Sequence, residues 1–426
     1  IVTNIDYEHI DYYKNYENLE NCFIDFINKT PPMGKAIICK DNNNINLLDN
    51  KSGNDLFVYN RFSKKNNNFN INKKLLKDID QTELYLEFLN NGKIEKKKIN
   101  LINNNVINKK FNLRKSHLIK EVAINSSLNK VANIRGDVIT FNKGELKINE
   151  SIFIPYGFKV KAEPGTFITL SNDARIQTNS PVFFKGTKEN PIVISSNGES
   201  LSGLDVINAN SKSIIENTIF KQLNQSDITD YFVSLGAVSF YQSDVDIISS
   251  KFIDNKSEDA LNVVRSEVNL KDLFFEGNIS DAIDFDFTDG VISDSSFINT
   301  GNDSIDFSGS NVLLKNIFIE GSGDKGVSAG ENSMINANSL IVKNSMIGIA
   351  SKDKSIFELS NFQLDNNKIF AAAYQKKIEF GPSNIILKDC KVINEDKTLI
   401  EINSFLQCGN TILKGENKDV YKKLYF

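Results

Sequence analysis

The sequence predicts an all-β protein: a right-handed parallel β-helix of about 22 residues per rung, preceded by a small mostly-β N-terminal domain. Two ladders predict it. Asp259, Asp281, Asp303 and Asp324 recur at steps of 22, 22 and 21 residues, and Phe252, Phe275, Phe297 and Phe318 recur ahead of them at steps of 23, 22 and 21. The segments between are short β-branched and Phe-containing strands closed by Asn, Asp, Ser and Gly turns, with no helical half and no Leu-rich consensus. A leucine-rich repeat is therefore the poorer reading of the same period.

Residues 1–125 form the first expected domain, to which the residues assign no role. Tyr12 to Asn28 has helix-like apolar spacing that Pro31-Pro32 stops. Strand-like runs follow at Ala36–Cys39, Leu56–Phe62 and Leu84–Leu89, the last turning through Asn90-Asn91-Gly92 into Lys93–Ile102. That is a hairpin signal, because Asn and Gly tolerate positive φ. From Asp137 the texture becomes short strands with frequent turns, as in Gly144–Ile148, Ile152–Ile154, Lys159–Lys161 and Ile192–Ile194. The β-helix is expected over 137–415, with a tail or cap over 416–426 in which Lys422 to Phe426 covers the last rung.

Within the rungs, alternation assigns the faces. Leu261, Ile283 and Ile305, with Val263, Phe285 and Phe307, fill the interior, and Asn262, Asp284 and Asp306 point out. After Asp324 the pattern predicts a bend or bulge, since Gly326 and Ser328 then occupy the inward positions.

Several function classes are excluded or disfavoured. A formal net charge of −4 and a pI near 5.6 argue against nucleic acid as a partner, and Lys96-Lys97-Lys98 reads as the solvated side of a strand. No apolar run reaches the roughly 18 residues that a membrane span requires. No P-loop, G-x-S-x-G or G-x-G-x-x-G stands in a supporting context. The chain begins at Ile1 without a signal segment, so secretion is not directly visible. Cys22 and Cys39, and Cys390 and Cys408, lie 17 and 18 residues apart, separations compatible with disulfides that fit no zinc pattern.

The runs GTFITLSNDARI, GTKENPIVISS, GAVSFYQSDVDIISSKFIDNKSEDALNVVRS, DAIDFDFTDGVISDSSF, GNDSIDF and GDKGVSAGENS resemble the right-handed parallel β-helix proteins of the pectin-lyase-like class. With NSMIGIASKDKS and AAAYQKKIEFGPSNIILKDC, the resemblance is to bacterial members that accompany CotH-like spore-coat kinase proteins, and it covers roughly residues 137–410. It implies an extracellular or cell-surface location, a polysaccharide partner that an acidic glycan would satisfy, and a CotH-like envelope protein as a further partner. It implies no settled activity.

The outward carboxylates Asp284, Asp286 and Asp306 stand on adjacent rungs. Like charges about 5 Å apart repel by roughly 1 kcal/mol even in water. Such a column calls for a counter-charge: Ca²⁺ held by these three residues, or Lys325 and Arg265 one rung to either side. Lyases and epimerases of this class need a group that neutralises a uronate and a base for its C5 proton. By resemblance Asp284, Asp286 and Asp306 are the metal ligands, and Lys325 or Arg265 the catalytic residue. Hydrolases use two or three Asp. The only histidines, His9 and His117, precede the solenoid, which ranks hydrolysis below elimination. In a purely structural reading Asp259, Asp281, Asp303 and Asp324 cap their own turns and the Phe ladder is core. Trp is absent; Tyr231, Tyr241 and Tyr374 are the residues that could stack a sugar. The expected function is a surface or secreted protein that binds or organises polysaccharide, with a Ca²⁺-dependent lyase or epimerase of an acidic glycan as the alternative.

Overall fold

A computed structural model describes residues 126–425 apart from 227–233, 378 and 392–394, together with the short segments 18–19, 21–23, 36–39, 56–59, 84–90 and 93–99. His9, His117 and Tyr231 lie outside the described residues, as does most of the helix expected over Tyr12–Asn28. The chain divides into two compact units, Ile1–Ile102 and Asn103–Phe426. In the first, Ala36–Cys39 pairs in parallel with Leu56–Tyr59, and Leu84–Asn90 pairs antiparallel with Lys93–Ile99.

The second unit is a parallel β-solenoid. Its strands fall into an 11-stranded sheet and a 20-stranded sheet that wraps the rest of each turn. Along the 11-stranded sheet Ile283, Ile305, Val327, Ile349 and Ala371 are direct neighbours, each 22 residues after the last. Side chains of equivalent positions therefore stack in columns about 4.8 Å apart.

Three left-handed corner residues turn the central rungs. One column of positive φ runs Asn217, Ser249, Asp272, Asp294, Asn316, Ser339 and Asn361, and a second runs Asp254, Gly277, Asn299, Gly321, Asn344 and Asn366. Short polar side chains and glycine suit this conformation, which explains the Asn, Asp and Gly spacing in the sequence. In the first column the corner falls inside continuous ten-residue strands such as Asp289–Ile298 and Asn311–Glu320, which join what are two separate strands in earlier rungs. Beside the third corner a serine and threonine ladder satisfies backbone donors: the Ser310 hydroxyl accepts from the Thr288 N–H at 3.0 Å, and Ser333 from Ser310 at 3.0 Å.

The interior is filled as alternation predicts, with Leu261, Ile283, Ile305, Val263, Phe285 and Phe307 fully buried. The Phe ladder is real but shifted at both ends. Phe220, Phe252, Phe275 and Phe297 stack face to face with centroids 4.9, 4.5 and 4.8 Å apart. The next rung contributes Ile319, whereas Phe318 pairs with Ser296 and points outward, half-buried. The same correction applies to the Asp ladder. Because Ile305 pairs with Val327, the residue in register with Asp303 is Lys325 and not Asp324. The apparent steps of 21 were one-residue slips; strand pairing holds the rung at 22. No break follows Asp324 either, since Val327 and Ala329 are the inward residues and Ser328 continues the outward column.

Both ends of the solenoid carry antiparallel pairs, Ala132–Arg135 with Val138–Phe141 and Phe405–Cys408 with Thr411–Lys414, which stop the parallel stacking. The helix Ser126–Val131 buries Leu128 and Val131 in the solenoid core, and a disulfide joins Cys390 to Cys408. The helix Val420–Tyr425 lies on the outer face of the 11-stranded sheet, where Val420 and Leu424 pack on Ile347, Ala350, Ala372 and Tyr374. Small residues at 350 and 372 leave it room.

Candidate functional site

Two outward columns of the 11-stranded sheet lie side by side. One, at the strand starts, runs Gly236, Asp259, Asp281 and then, by register, Asp303, Lys325 and Ile347. The other runs Ser239, Asn262, Asp284, Asp306, Ser328, Ala350 and Ala372. Two consecutive core residues per strand, as at Ala260 with Leu261 and Ala282 with Ile283, offset the first column from strict alternation, so both columns face out.

The first column is buried and bonded from rung to rung. The Asp281 carboxylate accepts the Asp303 backbone N–H at 2.8 Å and the Asn302 amide at 2.7 Å. Asp303 in turn accepts the Lys325 N–H at 2.9 Å and the Lys325 Nζ at 3.2 Å. Asp281 and Asp303 thus cap the following rung, whereas Asp259 accepts from Asn262 within its own. Lys325 Nζ also bonds Asp324, whose other visitor is the Tyr425 hydroxyl, donating at 2.8 Å from the C-terminal helix. The Lys325 ammonium lies 5.6 Å from the centre of the Tyr425 ring.

In the second column Asp284 and Asp306 are half-buried and reach solvent, and the residues on either side of them are buried. The Asn262 amide donates to Asp259 at 3.0 Å and to Asp284 at 3.4 Å. Lys352 Nζ, reaching back from two rungs on, lies 3.5 Å from Asp306. Asp286 stands two residues beyond Asp284 on the same strand, in register with Ser308.

The charges push these groups apart in proton affinity. Burial, then neighbouring carboxylates, holds Asp281 and Asp284 well above the ordinary carboxylate range. Burial followed by Asp306 lifts Asp286 to about 6. Asp303 rises to about 6 through burial, against the pull of Lys325. For Asp306 burial acts upward, but Lys352 and Lys325 outweigh it and hold the carboxylate below its usual value. Both lysines are buried, and their carboxylate partners more than offset that burial, so both stay protonated beyond the usual lysine range.

Of the residues singled out in the sequence, the fold gathers Asp259, Asp281, Asp303, Asp284, Asp306, Asp324 and Lys325, with Asp286 at the margin. Arg265 lies apart, exposed at the turn after the strand Asp259–Val264, with its guanidinium 3.1 Å from the Tyr241 hydroxyl. Among the described residues no group of three or more His, Cys, Asp or Glu is arranged to hold a metal ion. Lys352 and Tyr425 were missed. Lys352 is 46 residues from Asp306, and two 22-residue rungs lead from Asp306 to Ala350, so Lys352 stands two residues beyond that carboxylate's own column on the same strand. Nothing in the repeat announces Tyr425.

The model of the Mur ligase middle domain matches residues 1–113, the region in which the residue reading found no family. A UDP-N-acetylmuramate–L-alanine ligase of Pelagibacter ubique is 45% identical over 67 residues, 16% of this chain and 14% of that protein. The corresponding ligase of Borreliella afzelii is 38% identical over 79 residues, 18% of this chain and 17% of that protein. The chain therefore spans less than a fifth of the length of these relatives. Among solved structures, the periplasmic alginate epimerase AlgG is 14% identical with a TM-score of 0.40, covering 63% of this chain and 75% of that one. The catalytic domain of a GH87 α-1,3-glucanase is 11% identical with a TM-score of 0.33, covering 64% of each. The parallel solenoid rests on the strand pairings themselves, and the chain joins it to an N-terminal stretch similar to part of a Mur ligase.

Proposed function

We propose that the solenoid binds a polysaccharide along the outer face of its 11-stranded sheet, at Asn262, Asp284, Asp286 and Asp306. The observation that carries this reading is a pair of partly exposed carboxyls, Asp284 and Asp306, one rung of about 4.8 Å apart, flanked by the Asn262 amide and by Asp286. A periodic row of donors and acceptors suits a periodic, hydroxyl-rich polymer. The raised proton affinities matter here, because a protonated carboxyl both donates and accepts. Cys390–Cys408 supports a location outside the reducing cytosol, at the surface or in the medium. A CotH-like partner rests only on the resemblance of residues 137–410.

One observation favours a second reading, acid–base cleavage of a glycosidic bond. Asp284, raised in proton affinity by burial, and Asp306, lowered by the lysines, are neighbours of opposite tendency, the pattern that assigns general acid and general base. Elimination with Lys325 as base is less well supported. Its ammonium is bound by Asp303 and Asp324 and held protonated, whereas a base must be neutral. Lys325 and Lys352 also supply the counter-charge for which Ca²⁺ was invoked, so calcium remains an arm of the test.

Affinity electrophoresis through gels containing alginate, polygalacturonate, an α-1,3-glucan or soluble peptidoglycan strands tests the reading, with calcium or with chelator. Peptidoglycan, whose strands contain N-acetylmuramate, belongs in the panel because the N-terminal residues are similar to part of UDP-N-acetylmuramate–L-alanine ligases. Retardation of the wild type that Asp284→Asn with Asp306→Asn abolishes, while circular dichroism shows the solenoid still folded, is expected. Free migration through every gel sinks the proposal. New reducing ends without ultraviolet absorbance from unsaturated sugars would mark hydrolysis, and such absorbance elimination.

A further inference from the structure

The third corner column of the solenoid borders this same face and runs Asn208, Gln242, Arg265, Phe287, Gly309, Glu331 and Asp353, all at positive φ. Phe287, at φ 51°, is the one apolar residue among the described non-glycine residues with positive φ. A bulky side chain is strained in this conformation, and burial ordinarily compensates such strain. Here it does not, because Phe287 is 57% exposed.

The neighbouring rungs are shaped around the ring. On one side the Arg265 guanidinium lies 5.5 Å from its centroid and bonds the Tyr241 hydroxyl. On the other side stands Gly309, where a Cβ would come within 2.7 Å of the ring. Any other residue at 309 would displace Phe287. Phe287 follows Asp286 directly in sequence, at the rim of the acidic row. A strained, exposed aromatic ring held by a stacked arginine and a cleared glycine is an arrangement the solenoid itself does not need.

We propose that Phe287, with Arg265, forms a sugar-stacking subsite at the edge of the acidic row. The C–H face of one pyranose ring of the bound polysaccharide lies against the exposed part of the Phe287 ring, and Arg265 donates to its oxygens. This deepens the polysaccharide reading and rests on it.

The absence of tryptophan makes the test direct. Phe287→Trp introduces a single indole, whose emission should shift when the polysaccharide that retards the wild-type protein, taken from the four named above, is added to the full chain. Phe287→Gly should weaken retardation in that gel by about tenfold, the loss of one stacking contact. Its melting temperature should be unchanged or higher, because glycine relieves the positive φ. Equal retardation of Phe287→Gly and wild type overturns the subsite while leaving the polysaccharide reading intact. So does a tryptophan emission that saturating polysaccharide leaves unmoved. A fall in melting temperature with unaltered retardation would assign Phe287 a structural role. A wild type that none of the four gels retards removes both proposals together.

Discussion

The outward columns of the 11-stranded sheet divide into two halves built on one backbone. From Asp259 to Asp306 they are acidic and partly wet; from Lys325 to Tyr374 they carry lysine, serine, alanine and isoleucine and are covered by the helix Val420–Tyr425. The inward residues hardly change across this boundary, with Ile283, Ile305, Val327 and Ile349 in one unbroken column. What a rung places outside is therefore independent of what holds it together, within the limit that buried charge must be matched. Lys325 and Lys352 mark the boundary and reach back into the acidic half, to Asp303 and Asp306.

The largest effect should come from breaking that match. Lys325→Met keeps the aliphatic stem but leaves Asp303 and Asp324 buried without their cation, and removing one partner of a buried ion pair typically costs about 3–5 kcal/mol. Chemical denaturation should show the loss, and it should shrink at low pH, where the carboxyls are neutral. A cost near zero at neutral pH would mean that the two halves are electrically independent. The covered half is tested next. Leu424→Ala removes a buried side chain from the helix interface, for about 2 kcal/mol, and should expose the Ile347 and Ala372 patch to a hydrophobic dye. Stability unchanged by this substitution would mean that the cover is incidental.

The inward half of this architecture was legible in the sequence because burial forces it into period. Leu261, Ile283 and Ile305 alternate with Asn262, Asp284 and Asp306, and both the rung length and the facing of each residue follow from that. Register was read well where the letters repeat and slipped where they change: Asp324 and Phe318 look like ladder members, yet pairing gives those places to Lys325 and Ile319. Chemistry was legible as residue type but not as state. That the proton affinity of Asp284 is pushed up while that of Asp306 is held down depends on burial and on Lys352, two rungs away, neither of which a run of letters displays. Tyr425 was unreadable for a plainer reason, since it belongs to no repeat and lies 101 residues from the Asp324 that it contacts. The N-terminal residues carry no repeat at all, and their likeness to a Mur ligase middle domain emerged only from comparison.

The smallest effect is the most diagnostic of the acidic half. Asp286, Asp303 and Asp353 hold their protons up to about 6, and Asp281 and Asp284 are raised as well, whereas the unfolded chain releases them near 4. As pH rises from about 4 the unfolded chain ionises first, so the folded state binds more protons and loses stability until the native groups ionise too. The depressed Asp306 acts in the opposite sense, and its stabilisation is lost only as pH falls below the ordinary carboxylate range, outside this window. The melting temperature should therefore fall between pH 4.5 and pH 7.5. Asp284→Asn, which keeps the shape and removes one repelling charge, should raise the melting temperature at pH 7.5 by about 2–4 °C and flatten the slope. An acidic row that served only as a solvated strand face would show neither: its carboxylates would titrate near their ordinary value, and stability would not decline over that range.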